Sequence, residues 1–126
     1  MVSCLLIDQR ASERQRIQAM LEPMCMSFDH CEAPDDGIRF CHEHRPDVVM
    51  MQATGLPAAK EFLRLVRYQG RNSGRPIVIM YSDKADLETM GGTILEGASE
   101  FLVGPFDREL LQFKLNQSGI TIAKAA

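Results

Sequence analysis

The segment Val48 to Met51 constrains the fold of this chain more than any other. It is too short for a helix and is bounded by polar or turn-forming residues, so we expect a strand that is buried on both faces. Such a strand lies in the middle of a parallel sheet, where ligands collect just beyond the carboxyl ends of the strands. Gln52 is therefore the first candidate for a functional residue. Its amide offers hydrogen-bond donors and an acceptor, but neither charge nor useful nucleophilicity.

Apolar segments that are typical of strands alternate with amphipathic segments along the chain. We predict strands over residues 2–7, 26–31, 48–51, 76–81 and 100–103, and helices that begin near residues 12, 34, 57, 85 and 107. This alternation implies a parallel sheet with helices on both faces and right-handed crossovers. The predicted fold class is α/β and flavodoxin-like, with five strands in the order 2-1-3-4-5.

Local signals refine two of the helices. Ser12 followed by Gln15 has the spacing of a capping box, which predicts the start of the first helix. Gly91 and Gly92 fall inside the fourth helix, where each glycine costs about 1 kcal/mol relative to alanine. We therefore expect the fourth helix to be short, bent or mobile.

The length of 126 residues fits one domain, which we place at residues 1–120 with a C-terminal tail at 121–126. A formal charge of −3 provides no general attraction to nucleic acid or to an anionic membrane. Signal-peptide and membrane-spanning patterns are not evident, so we expect a cytoplasmic protein whose partners are proteins or small ligands. The four cysteines show no paired spacing and are predicted to be reduced packing residues.

Several segments, taken in order and at their spacing, resemble the receiver domains of two-component response regulators of the single-domain CheY type. They are Leu5–Gln9, Arg45–Gln52, Arg75–Ser82 and Glu96–Asp107. The resemblance implies the same flavodoxin-like fold and a role in bacterial two-component or phosphorelay signalling. It also implies a cis peptide at Gly104-Pro105, because the matching Lys-Pro bond of the family is usually cis.

The same resemblance implies that the phosphorylation site is degenerate. Typical receivers bind magnesium with an acid pair after the first strand and an aspartate after the third, and that aspartate accepts the phosphoryl group. The matching residues here are Asp8, Gln9 and Gln52. A single carboxylate with two amides is a poor ligand set for Mg²⁺, so we expect weak or absent Mg²⁺ binding and no other cofactor.

The later positions of the family site have also changed. Tyr81, followed by Ser82, stands where the family has a Ser or Thr that contacts the phosphoryl group, and Gly104 stands where it has a lysine. Phosphoryl transfer depends on positioning and on electrostatic stabilisation, and the nucleophile, most of the metal site and the cation are missing together. We therefore interpret the chain as a pseudo-receiver.

The roles of the replacement residues stay open. Gln52 is either a hydrogen-bonding plug that satisfies Asp8 and nearby backbone amides, or part of a new ligand site. Tyr81 is interpreted as a pocket filler, with its hydroxyl near Asp8, rather than as a phosphoacceptor. Phe101 matches the switching aromatic residue of the family, so we expect the rings of Tyr81 and Phe101 near one pocket.

Two surfaces are candidates for binding. The resemblance implies a partner face on the fourth helix, fifth strand and fifth helix, at Gly91, Gly92, Phe101 and Phe106. The third predicted helix carries basic residues at helical spacing, namely Lys60, Arg64, Arg67 and Arg71. These basic residues form either a solvated face or a patch for an anion or nucleotide.

The leading functional hypothesis is a non-enzymatic module that binds a protein partner without being phosphorylated. The partner is a histidine kinase, an output protein or a second copy of the chain. The alternative is a sensor of a small anion or nucleotide, which uses the vacated pocket or the basic helix. A third hypothesis, acyl-phosphate formation at Asp8, requires a magnesium site that Asp8 can no longer help to build.

Overall fold

The computed structural model describes residues 2–24, 27–67 and 76–120. Its elements are β1 (Ser3–Ile7), α1 (Ala11–Leu21), a short 3-10 helix (Glu22–Met24), β2 (Ser27–Cys31), α2 (Pro34–His44), β3 (Val48–Gln52), α3 (Leu56–Arg67), β4 (Ile77–Ser82), α4 (Leu87–Glu96), β5 (Glu100–Val103) and α5 (Arg108–Gln117). The predicted alternation of strands and helices is confirmed. The tail at 121–126 lies outside the described residues.

The strands form one parallel sheet in the order β2-β1-β3-β4-β5, which confirms the predicted topology. β3 lies between β1 and β4, and its residues 48–51 are at most 1% exposed. The register places Ile7 opposite Met51, and Gln52 opposite Tyr81. The carboxyl ends of β1, β3 and β4 therefore lie side by side, and the residues that follow them meet at one edge of the sheet.

Helices cover both faces of the sheet. On one face, Ile17 of α1 and Leu111 of α5 pack with Tyr81. On the other face, Phe62 of α3 packs with Met80. Tyr81 and Met80 are neighbours in β4 and point to opposite faces because side chains alternate along a strand. The helix α3 faces the sheet with a stripe of four residues that are at most 4% exposed: Ala59, Phe62, Leu63 and Val66.

The predicted capping box at the start of α1 is wrong. The helix begins at Ala11 with Arg10 at the N-cap position, so Ser12 lies inside the first turn. The physical reason is the turn that precedes the helix. Asp8 Oδ1 accepts a 2.8 Å hydrogen bond from the Arg10 backbone amide, and this side-chain turn ends the strand and starts the helix earlier than the Ser12 pattern indicates.

The helix α4 runs unbroken across Gly91 and Gly92. Asp86 caps its N-terminus, because its Oδ1 accepts a 3.2 Å hydrogen bond from the Glu88 amide, and Gly97 ends it in the left-handed conformation with φ 116°. The two glycines are therefore accommodated within a capped helix of 10 residues.

The turn after β5 has the predicted conformation, because the Gly104-Pro105 peptide is cis. Asp107 then caps α5, where its Oδ1 accepts a 2.9 Å hydrogen bond from the Leu110 amide. Within the described ranges, no helix is both long enough and apolar enough to cross a membrane. Three cysteines in the same part of the chain, Cys4, Cys31 and Cys41, are free thiols.

Candidate functional site

The site is built around the Asp8 carboxylate, which follows β1 and is only 2% exposed as a residue. Oδ1 accepts hydrogen bonds from the backbone amide of Arg10 at 2.8 Å and from its Nε at 3.1 Å. Oδ2 accepts from Arg10 Nη2 at 3.0 Å and from the Tyr81 hydroxyl at 2.8 Å. Each oxygen of the Asp8 carboxylate therefore accepts two of these four hydrogen bonds.

The Arg10 guanidinium is the cation of the site. It pairs with Asp8 through Nε and Nη2 in the two-point geometry that matches a carboxylate. Its remaining nitrogen, Nη1, lies 2.8 Å from Asp83 Oδ2, in the segment after β4. A second arginine, Arg14, donates from Nη1 to the Asp8 carbonyl at 2.6 Å. Arg10 therefore contacts the ends of both β1 and β4.

The Gln52 amide completes the ring of donors around Asp8. When its nitrogen faces Asp8, it lies 3.2 Å from Asp8 Oδ1, and its oxygen lies 3.2 Å from Arg10 Nη2. We assign this orientation because it satisfies both groups of the amide. The residue at the end of β3 is thus a neutral link between the anion and the cation, which is the arrangement that the plug interpretation predicts.

Tyr81 fills the space beneath this network. It is 2% exposed and packs against Phe106, with ring centroids 6.0 Å apart in an edge-to-face arrangement. Phe101 lies on the opposite side of the sheet, packed against the cluster that contains Phe62. The expectation that Tyr81 and Phe101 share one pocket is therefore wrong, because their positions on β4 and β5 direct the two rings to different faces.

The contacts shift the pKa values of the network in opposite directions. Burial by itself raises the pKa of Asp8, but the hydrogen bonds from Arg10 and Tyr81 outweigh burial and hold that pKa below its usual value. Burial and the hydrogen bond to Asp8 raise the pKa of the Tyr81 hydroxyl. The hydrogen bond to Asp8 raises the pKa of the Arg10 guanidinium. Near neutral pH the network is therefore a charged aspartate with a charged arginine and a neutral tyrosine.

This arrangement does not fit a magnesium ion. Mg²⁺ needs oxygen acceptors in a nearly octahedral set, whereas the groups that face Asp8 are N–H and O–H donors. The guanidinium already neutralises the carboxylate at the place where a metal would bind it. In addition, no group of three or more His, Cys, Asp or Glu side chains in the described part of the chain could hold a metal ion.

The other predicted residues of the degenerate site surround this network without joining it. Gln9 is exposed. Ser82 lies at the end of β4, where its hydroxyl accepts a 3.2 Å hydrogen bond from the Lys84 amide. The amide of Gly104 donates to the Ser82 carbonyl at 2.8 Å. Gly104 thus lies beside the segment that carries Asp83, but it has no side chain to offer.

The predicted partner face is only partly on the surface. Gly91 is exposed, and Gly92 and Phe101 are half-buried. Phe106 does not belong to this face, because it is 7% exposed and packs in the core beside Tyr81. Sequence reasoning missed the two most exposed large apolar side chains of α4, since Leu87 is 82% exposed and Leu95 is 88% exposed.

The basic residues of α3 are described only in part. Lys60 is half-buried, and Arg71 lies outside the described residues, as does the side chain of Arg67. Arg64 is exposed, but its Nε lies 2.7 Å from Glu96 Oε1 at the end of α4. One arginine of the proposed anion patch is therefore already paired with a carboxylate of the protein.

The sequence analysis did not identify Arg10, and it gave Asp83, at the same end of the sheet, no part in the site. A signal for both was present, since each follows the end of a buried strand by a few residues and the carboxyl ends of parallel strands share one edge. The opposite charges of the two residues then indicate that they can pair across this edge. Arg10 and Asp83 lie just outside the segments that resemble receiver domains, so the resemblance assigns them no role.

Comparisons with known proteins agree with this fold. A scan against models of protein families finds no match. The chain is 26% identical over 118 residues to Protein PilH of Pseudomonas aeruginosa, and the match covers 92% of this chain and 96% of that protein. Among solved structures, the chemotaxis response regulator CheY4 of Vibrio cholerae has a TM-score of 0.80 and 22% identity, covering 94% of this chain and 98% of that one.

A third similar protein offers a contrast at the site. The receiver domain of the sensor histidine kinase PA1611 of Pseudomonas aeruginosa has a TM-score of 0.77 and 21% identity, and the match covers 94% of this chain and 98% of that one. Its structure has a magnesium ion coordinated in the active site cleft. The structural neighbours of this chain are thus response regulator receiver domains, and the chain has their CheY-like flavodoxin fold.

Proposed function

We propose that this protein is a receiver-type signalling module, not an enzyme, that binds a protein partner without being phosphorylated. The observation that carries the proposal is the engagement of both Asp8 carboxylate oxygens by Arg10 and Tyr81. The receiver fold and the likeness to Protein PilH support the signalling part. A cytoplasmic location and a bacterial two-component pathway belong to the same proposal.

The chemistry of the site supports independence from phosphorylation. The residue at the end of β3 is Gln52, and an amide cannot form an acyl phosphate as an aspartate can. Asp8 is the buried carboxylate nearby, and attack by its oxygens would require breaking the contacts to Arg10 and Tyr81. The arginine and the tyrosine therefore stabilise the resting form of the site rather than a transition state for phosphoryl transfer.

The surface that best suits a protein partner lies on α4. Leu87, Gly91 and Leu95 are exposed and recur every four residues, so they lie along one side of the helix. Leu87 is 82% exposed and Leu95 is 88% exposed, and burial of these side chains against a partner would remove apolar surface from water. The partner in this proposal is a histidine kinase, an output protein or a second copy of the chain.

The alternative, a sensor of a small anion or nucleotide, has less support. A cavity of about 380 Å³ lies beside Gln52, but the carboxylates of Asp83 and Asp86 in its lining disfavour an anion. On α3, Arg64 is paired with Glu96. Among the described residues, Arg10 near the cavity and Arg64 on α3 are both paired with carboxylates of the protein, so neither is positioned to bind an external anion.

Intact-mass spectrometry tests the independence from phosphorylation. The protein is incubated with Mg²⁺ and acetyl phosphate, and a receiver that retains its acceptor aspartate is the positive control. We expect an unchanged mass under conditions that phosphorylate the control. The gain of one phosphoryl group, lost in Asp8→Asn, would overturn the proposal.

Site-specific photo-crosslinking in the cell of origin tests the partner surface. A photo-reactive amino acid replaces Leu95 on α4 or, as the control, Arg39 on α2, which is also exposed. We expect a defined protein adduct from position 95 and none from position 39. Equal adducts from both positions, or none from position 95, would contradict the assignment of α4.

A further inference from the structure

We infer that Arg10 forms a tie between the end of β1 and the segment leading into α4. The tie consists of its ion pairs with Asp8 and Asp83. The position of the α4 surface is then set by an internal ion pair rather than by a bound ion or a modification. This inference rests on the contacts of Arg10 alone, so it stands or fails separately from the proposed function.

The fixed end of this tie is Asp8. The carboxylate is buried, it follows the central part of the sheet, and it holds the guanidinium by two nitrogens at 3.1 and 3.0 Å. Tyr81 and the Arg10 backbone amide hold the same carboxylate from other directions. The guanidinium therefore has little freedom to turn, and its third nitrogen points away from Asp8 in a defined direction.

The exposed end of the tie is Asp83. Arg10 Nη1 lies 2.8 Å from Asp83 Oδ2, although the two residues are 73 positions apart in the chain. Asp83 comes three residues before Asp86, the N-cap of α4, whose carboxylate also accepts a 2.6 Å hydrogen bond from the Thr89 hydroxyl. Polar contacts thus join β1 to Asp83 through Arg10, and three residues of backbone lead from Asp83 to the capped first turn of α4.

Gly104 leaves room for the contact between Arg10 and Asp83. Gly104 lies beside Asp83, and a Cβ atom at position 104 would be 3.3 Å from Asp83 Oδ1. This is tighter than almost all ordinary Cβ contacts, so a side chain there would press on the Asp83 carboxylate. The absence of a side chain at position 104 therefore leaves space for the Asp83 carboxylate to pair with the Arg10 guanidinium.

The two ends of the tie differ in strength. The Asp8 side chain is fully buried, whereas the Asp83 side chain is 65% exposed and the Arg10 side chain is 31% exposed. Exposed ion pairs are weak and are screened by salt. The contact to Asp83 is therefore the one that opens first, and we expect the start of α4 to loosen as the ionic strength rises while Asp8 and Arg10 stay paired.

Amide hydrogen exchange of the full chain with the substitution Asp83→Asn tests this inference. This variant leaves the buried pair of Asp8 and Arg10 in place, so the protein should remain folded. We expect the amides of residues 84–90 to exchange about two- to fivefold faster than in the wild type, the range that corresponds to an exposed ion pair. The wild type in high salt should approach the same rates.

Two further variants sharpen the test. Asp36→Asn is the matched control, because Asp36 pairs with Arg39 within α2 and is also exposed, and it should leave residues 84–90 unchanged. In an Arg10→Met background, Asp83→Asn should add no further acceleration, because the tie is already absent. Exchange at 84–90 that is unchanged by Asp83→Asn, or an equal effect of Asp83→Asn in both backgrounds, would overturn the inference.

Discussion

The Tyr81 hydroxyl donates a buried 2.8 Å hydrogen bond to Asp8 Oδ2 and so joins the ends of β4 and β1. The acceptor is charged and both groups are at most 2% exposed, which makes this a strong type of hydrogen bond. The bond also places a bulky phenol in the space below Gln52. Tyr81 is therefore a structural link between two strands.

Replacing Tyr81 by phenylalanine tests the contribution of this hydroxyl. The ring still packs against Phe106, so the change removes the hydrogen bond and little else. We expect the free energy of unfolding to fall by about 1.5–3 kcal/mol, the usual contribution of a hydrogen bond to a charged group. Urea unfolding near pH 7 measures this change. A variant as stable as the wild type would show that the bond contributes nothing net.

The low pKa of Asp8 predicts a loss of stability in acid. Because this pKa is lower in the folded than in the unfolded protein, Asp8 stabilises the fold above its unfolded value, near pH 4. That contribution is lost as the pH falls through the folded value. Urea unfolding between pH 2 and pH 7 should show this loss in the wild type.

Substitution of Asp8 by asparagine should remove part of that pH dependence. We also expect the variant to be less stable by about 1.5–3 kcal/mol near pH 7, because Arg10 and Tyr81 lose their charged acceptor while Arg10 keeps its pair with Asp83. Asp29→Asn, which changes an exposed carboxylate on β2, is the control and should alter stability by less than about 0.5 kcal/mol. If the free energy of unfolding of Asp8→Asn fell with decreasing pH as steeply as that of the wild type, Asp8 would be ruled out as the source of the pH dependence.

Restoring an aspartate at the end of β3 should not restore a receiver switch. In Gln52→Asp the new carboxylate lies beside Asp8, where the wild-type amide donates at 3.2 Å. Two adjacent carboxylates repel each other, so we expect lower stability near pH 7 by about 1–3 kcal/mol, and the difference from the wild type should shrink as the pH falls toward about 4. Gln9→Asp, at an exposed position, is the control and should change little.

The same variant can be titrated with Mg²⁺ and beryllofluoride. We expect no saturable response from Gln52→Asp, because Arg10 and Tyr81 still occupy Asp8. Saturable binding by this variant would show that the missing aspartate alone accounts for the loss of the switch.

The glycine pair of α4 provides a matched comparison of two neighbouring positions. A Cβ atom at Gly91 would meet nothing within 4 Å, whereas one at Gly92 would lie 2.6 Å from Leu56 Cδ1. We expect Gly91→Ala to raise the free energy of unfolding by about 0.5–1 kcal/mol, the difference in helix propensity. Gly92→Ala should gain less or lose stability, because the Leu56 side chain must move. Equal gains at both positions would contradict this packing.

The fold was predictable because the hydrophobic periodicity is strong. The continuous apolar segment of β3 and the stripe on α3 each allow one type of element, and their alternation with the other segments restricts the topology. The capping box at Ser12 failed for a local reason. The Asp8 side chain forms its own turn with the Arg10 amide, and a spacing rule for the helix does not include the strand residue that precedes it.

The candidate site was predictable in position but not in composition. Asp8 and Gln52 come directly after buried strands, so their meeting follows from the topology. Arg10 was missed because a long side chain can extend in many directions, and its direction depends on the distant Asp83. Phe106 was misplaced because its ring packs in the core against Tyr81, a contact between residues distant in the sequence.

The central proposal is that Arg10 and Tyr81 hold the Asp8 carboxylate so that this end of the sheet takes neither a metal ion nor a phosphoryl mimic. An amide NMR titration of the wild-type protein, with Mg²⁺ and then with Mg²⁺ and beryllofluoride, tests that claim most directly. The account predicts no saturable shifts at Asp8, Gln52 or Phe101. Saturable shifts that spread from Asp8 to Phe101 would contradict it, because they would show that the pocket still takes an ion and transmits its binding to β5.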